Sequence, residues 1–203
     1  MRKKLLLFLT VVIVLALGAF GTWYYWTHRY DKLIAAAAQK YSLDPALVKA
    51  IVYEESFFRS QAQSTQNAIG LMQITPVVLQ EWLEAKRTRT LREAFESVVG
   101  KAIDYEPNAE EALSNPAVSL DVGCWYLQTL LNRYRNEPYP LAVALAAYNA
   151  GPSNVERWVP NGERPSISRD EFIARIEFPA TRNYVQKIIE RYDYYRRDRD
   201  LKE

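Results

Sequence analysis

The chain is nearly devoid of the two side chains that carry most metal and nucleophile chemistry: among 203 residues there is one cysteine, Cys124, and one histidine, His28. A disulfide framework within the chain is therefore excluded, and so is a zinc site built on a Cys/His cluster. A Ser-His-Asp or Cys-His centre would have to use His28, which sits against an apolar run. Acid is missing from the first thirty residues, which open on Arg2, Lys3 and Lys4, the first acid being Asp31. With 26 basic and 24 acidic side chains in all, the part beyond those three cations has no basic excess to suggest nucleic acid. Glycine and proline are sparse, 7 and 10, and alternation with period two is rare, which disfavours a β fold. What remains for chemistry is carboxylates, hydroxyls, amides and aromatics.

Leu5 to Thr27 carries no charge. A helix rising about 1.5 Å per residue over that stretch crosses a hydrocarbon core of about 30 Å. Arg2, Lys3 and Lys4 would hold its start in the cytoplasm, and Trp23, Tyr24, Tyr25 and Trp26 form an aromatic belt at the far interface. The rival is a cleaved signal, for which Ala19-Phe20-Gly21 offers a small-x-small site. The expectation is an anchor over 1–28, contacting the membrane through 5–27, with residues 29–203 as one domain outside the cytoplasm of a bacterial cell.

That domain reads as all-α. Helices are expected over Tyr30–Tyr41, from Asp44-Pro45 to about Phe58, from Thr75-Pro76 to Ala85, from Asn115-Pro116 to about Tyr134, and from Pro140 to Tyr148 before the stop Asn149-Ala150-Gly151-Pro152. A short helix capped by Ser168 or Asp170 follows, then a last one capped by Thr181 and running to about Arg197. Residues 86–112 read as an irregular or partly helical insertion, and 152–169 as a loop. On the Pro45 helix the core stripe is Leu47, Val48, Ile51 and Val52. At 100° per residue Glu55 projects about 40° from Ile51, on the apolar side, whereas Glu54 points about 90° off the stripe and toward water. An acid on an apolar face has a raised pKa and suits general-acid work; a frayed, solvated helix end is the plain alternative.

Three motifs then appear in order: Glu55-Ser56, Gly70-Leu71-Met72-Gln73, and Ala147-Tyr148-Asn149-Ala150-Gly151. Together with Asn115-Pro116 to Tyr126-Leu127 and the FPATRNYV run from Phe178, they resemble the lytic transglycosylases of the soluble murein transglycosylase type. The resemblance spans roughly Tyr30 to Tyr195. It implies a lysozyme-like helical fold with a substrate groove, and peptidoglycan glycan strands as substrate. Glu55 would be the single acid and base that cleaves the bond between N-acetylmuramic acid and N-acetylglucosamine. The muramyl C6 hydroxyl would then close on C1 to leave a 1,6-anhydro end, with no cofactor and no metal.

The same resemblance makes Ser56, Met72, Gln73, Tyr148, Asn149 and Tyr184 substrate-binding candidates. Gly70 would let backbone approach a sugar, and Trp158 is a further groove aromatic. Ser56 as a local cap, Met72 and Tyr148 as core, Gln73 as surface and Asn149 as a C-cap are the structural alternatives. Alanines at 174 and 180 stand where the family often has glutamate, and Glu177 is out of register with both. Competing functions are a goose-type lysozyme hydrolase and a non-catalytic membrane-anchored wall-binding module. The run from Arg191 to Arg199 is either a solvated face or a docking face for envelope partners.

Overall fold

In the computed structural model, residues 2–87, 90–102, 107–158 and 168–197 are described. Eleven helices occupy these residues, and the only extended pairing among them is the isolated bridges Gln63–Ile69 and Ile69–Ile74. The domain is all-α.

Helix α1 (Arg2–His28) is long and apolar enough to cross a membrane, and its side chains stay exposed as far as Tyr25. Thr10 and Thr22 turn their hydroxyls back onto the carbonyls of Leu6 and Gly18 at 2.9 and 2.8 Å, so neither threonine hydroxyl is left unpaired. At Trp26 and Thr27 the helix meets the domain, and α2 (Asp31–Lys40) follows after a single turn.

Helix α3 (Pro45–Ser56) begins where expected, with the Asp44 carboxylate accepting from Ala46 N at 2.9 Å and proline in the first turn. The expected stripe is confirmed: Leu47, Val48, Ile51 and Val52 are all buried. Burial goes further than the stripe, because α2 covers one side of α3 and α11 the other. Lys49 is therefore sealed in completely, and its ammonium pairs with Asp31 of α2 at 2.8 Å. Helix α3 ends at two consecutive left-handed residues, Phe57 and Phe58, with φ of 50° and 59°. Each costs roughly 1 kcal/mol in a non-glycine residue. Their carbonyls accept from Trp26 Nε1, at 2.9 Å, and from the Arg29 guanidinium, so the end of α1 stitches this turn in place.

Helix α4 (Pro76–Lys86) has proline in its first turn but no side-chain cap from Thr75. The segment read as a partly irregular insertion holds two helices, α5 (Leu91–Val99) and α6 (Ala109–Ser114), packed on α7. Helix α7 (Pro116–Arg133) is capped by Asn115 Oδ1, which accepts from Ala117 N and Val118 N. Cys124 on α7 is fully buried. Helix α8 (Pro140–Ala150) is apolar all round, as a helix enclosed by α7 and α11 must be.

Part of the expected 152–169 loop is a single helical turn, α9 (Pro152–Val155), and residues 159–167 of it lie outside the described residues. Ser168, not Asp170, caps α10 (Arg169–Arg175) in a reciprocal capping box with Glu171. Helix α11 (Pro179–Arg197) starts two residues before Thr181, whose hydroxyl donates instead to Asn149 Oδ1 at 2.7 Å. The Arg191 run is solvated on one side only: Asp193, Tyr194, Arg196 and Arg197 are exposed, whereas Arg191 pairs with Glu54, Tyr192 donates to Asp44 at 2.9 Å, and Tyr195 is buried.

Candidate active site

Glu55 occupies the last turn of α3, where the core stripe runs out into a cleft of about 540 Å³. The cleft is walled by the stretch Arg59–Ser64, by Gln73, by Trp26 near the end of α1, and by Arg29 and Tyr30 in the turn that follows it. Gln73 also borders a second hollow of about 210 Å³, lined by Tyr126, Tyr148 and Asn149, so the two form neighbouring parts of one groove across Gln73. Glu55 is the one carboxylate among the described residues lining either part.

The Glu55 carboxyl is only partly accessible. Burial pushes its pKa up from 4.5 to about 7, assisted by the neighbouring charge of Glu54 and opposed by a hydrogen bond from the Tyr184 hydroxyl. That bond is 2.6 Å long, with Tyr184 donating to Oε1. Burial and the Glu55 charge hold the Tyr184 phenol well above its ordinary value, so it stays a neutral donor. Tyr184 is thus a buried partner of the acid, not an open platform for stacking on sugars. Glu54 is less open to water than its helical angle suggested: its side chain is 13% exposed and accepts from Arg191 Nε at 2.6 Å. Helix α11, which no local pattern in α3 announces, covers that flank.

Several expected groove residues turn out to build the site from behind. Ser56 is buried, its hydroxyl set against the carbonyls of Val52 and Leu71 at 3.0 and 2.9 Å, and it ties α3 to the 70–74 turn. Met72 is fully buried, packed over Gly123 of α7, and is no groove wall. Gly70, at φ +83°, makes room for protein and not for sugar: a Cβ there would stand 2.1 Å from the Leu113 carbonyl oxygen. Trp158 is buried edge-on against Phe178 at 5.3 Å and does not line the groove. None of the described residues of 86–112 lines it either.

Gln73, Tyr148 and Asn149 do face it. Gln73 holds a left-handed backbone, φ +48°, and its Nε2 donates to Ala62 O and Gly70 O, both at 3.1 Å. That leaves its amide oxygen to accept from a ligand. The Tyr148 hydroxyl donates to Met72 O at 2.9 Å; burial and the Glu55 charge keep it neutral. Asn149 lies within the last turn of α8 instead of capping it, and its Oδ1 receives Thr181. Sequence reasoning missed Trp26, Arg29 and Tyr30 as cleft residues, because their signal as membrane belt and helix end was sufficient by itself.

The transglycosylase SLT domain matches residues 32–170. A membrane-bound lytic murein transglycosylase C from Histophilus somni is 30% identical over 83% of this chain and 46% of its own length. A soluble lytic murein transglycosylase from Salmonella typhimurium is 28% identical over 82% of this chain and 23% of its own. The chain thus spans less than half the length of either relative. The 70 kDa soluble lytic transglycosylase from Escherichia coli superposes with a TM-score of 0.66 at 24% identity, over 85% of this chain and 25% of that one. Lytic transglycosylase Slt from Pseudomonas aeruginosa gives 0.65 at 23%, over 87% and 25%. Glu55, Gln73 and Tyr148 all fall inside the matched span, and the chain belongs to the transglycosylase SLT domain family.

Proposed function

We propose that this chain is a peptidoglycan lytic transglycosylase, held by α1 in a single pass through the cell membrane with residues 29 onward outside the cytoplasm. The supporting observation is Glu55: a lone carboxyl at a polar groove, partly buried, with a pKa of about 7 and a neutral phenol fixed on one oxygen. Such a group is about half protonated at neutral pH and can give its proton to the oxygen between N-acetylmuramic acid and N-acetylglucosamine. Tyr184 then stabilises the carboxylate left behind. The substrate's own acetamido oxygen supports the positive centre at C1, a task that two-carboxylate glycosidases give to a second acid. Glu55 takes the proton of the muramyl C6 hydroxyl as that oxygen closes on C1, and is reset.

Intramolecular attack carries an advantage of several orders of magnitude when aligned. Water competes only if the protein holds it, and Glu177, the nearest candidate by sequence, is exposed and outside the groove lining. Digestion of purified peptidoglycan by the full chain, in excess chelator, is expected to give muramyl ends one water lighter than hydrolysed ends, with few new reducing ends. A mass spectrum dominated by hydrated ends would assign the protein to the lysozymes instead.

The Glu54–Arg191 pair bears on the same proton. Glu54→Gln keeps an oxygen that can accept from Arg191 but removes the counter-charge of its guanidinium, itself 28% exposed, and is expected to cost roughly 1–3 kcal/mol in urea unfolding. It also removes a like charge beside Glu55, so the pKa of Glu55 falls. The activity profile should accordingly lose its alkaline side at lower pH than the parent's.

A further inference from the structure

The cleft beside Glu55 is completed by residues that precede the family's matched span. Trp26 and Arg29 lie before residue 32, where that match begins, as does Tyr30. They are held stiffly. Trp26 donates to Phe57 O, Arg29 donates to Phe58 O, and the Arg29 guanidinium lies 3.6 Å from the Trp26 ring centre and 4.8 Å from that of Tyr30. Arg59 also lines the cleft, its Nε on Ser56 O at 3.1 Å. The remaining lining is neutral and polar, Ser60 to Ser64 and Gln73. Aromatic rings edging a polar trough suit the flat face of a sugar. Two guanidinium groups with no acid but Glu55 suit a carboxylate carried on it.

We propose that the end of the anchor helix forms a saccharide subsite of its own, in which Trp26 and Tyr30 contact a sugar ring and Arg29, with Arg59, selects a ring bearing a carboxylate. This rests on the activity proposed above, because the occupant is the glycan strand extending from the bond at Glu55, at a muramyl ring whose lactyl carboxylate carries no stem peptide. It also makes α1 a substrate-binding element as well as a tether. The strand in the cleft is then the one that runs next to the helix where it leaves the bilayer.

The test uses the full chain carrying Glu55→Gln in detergent micelles, so that substrate binds without turnover. Two probes are titrated: a neutral N-acetylglucosamine oligomer and a muramic-acid-containing oligomer of equal length. Tyr30→Ala is expected to weaken both by roughly fivefold to tenfold. Arg29→Gln is expected to weaken the acidic oligomer by a similar factor and leave the neutral one within about twofold, while Arg29→Lys keeps the preference for acid. A purely structural role for Arg29 would lower both affinities together along with the melting temperature, and would overturn the selectivity. Parent-like binding by Tyr30→Ala and Arg29→Gln would overturn the subsite and leave the transglycosylase assignment standing. Failure of the parent to bind either oligomer would remove both.

Discussion

Glu55→Gln is expected to lower release of muropeptides from peptidoglycan by about a thousandfold or more, since positioned general-acid catalysis typically supplies 10²–10⁴ and in the proposed reaction one group serves both proton transfers. The amide is nearly isosteric, so the Tyr184 hydroxyl can still donate to the retained oxygen and the fold should hold. Stability should move in the opposite direction to activity. The parent's carboxyl has a folded-state pKa of about 7 against an ordinary 4.5, so ionising it costs folding free energy. The domain has its full stability, as far as this group is concerned, below about pH 4.5, and loses it as pH rises through 7. Removing the titration should make Glu55→Gln more stable than the parent by on the order of 2–3 kcal/mol at pH 8, and indistinguishable from it at pH 4. Urea midpoints at the two pH values check this. Equal stability at both would mean that the carboxyl is solvated after all.

Gly70→Ala should be the most damaging change outside the acid itself. The added methyl would meet Leu113 O at 2.1 Å and Ser119 Oγ at 2.7 Å, in a backbone conformation of φ +83° that alanine resists. The serine rotamer can give way; the Leu113 carbonyl is backbone and cannot without displacing the end of α6. A loss of roughly 3–5 kcal/mol is expected. It should be accompanied by loss of activity in any protein that still folds, because Gly70 O holds the Gln73 amide. Thermal unfolding should report a large fall in midpoint. Gly123→Ala meets Met72 Sδ at 2.4 Å and Met72 Cβ at 2.7 Å. Its helical backbone accepts alanine, but Met72 Cβ is fixed to the backbone of a fully buried residue and cannot swing aside, so this change should also be strongly destabilising.

The helices were legible because their ends are chemically marked. Asp44-Pro45, Asn115-Pro116 and the glycine at 151 each leave a local trace in capping and φ. Glu55 was legible for a similar reason, since the stripe of Leu47, Val48, Ile51 and Val52 fixes its angle. The roles of its neighbours were not, because they depend on what lies across the fold. Nothing near Glu54 in sequence reveals Arg191, 137 positions away. Met72 and Gln73 are adjacent, yet one is sealed over Gly123 and the other faces the groove, and only the left-handed turn at Gln73 separates them. Trp26 reads equally well as membrane belt and as cleft wall, since an aromatic with a polar edge serves both.

Cys124 gives the molecule an internal clock for its own opening. Its thiol is sealed within α7 and pushed far above the ordinary range by burial, with Asp121 adding to the rise. The folded chain therefore offers almost no thiolate for alkylation or disulfide exchange. As the only sulfhydryl in 203 residues, it reacts at a rate set by the population of opened molecules. Modification by a thiol reagent under conditions of full activity thus reads out folding free energy without denaturant. On that clock the parent and the Glu55→Gln protein should run together at pH 4 and separate at pH 8, the amide variant running slower.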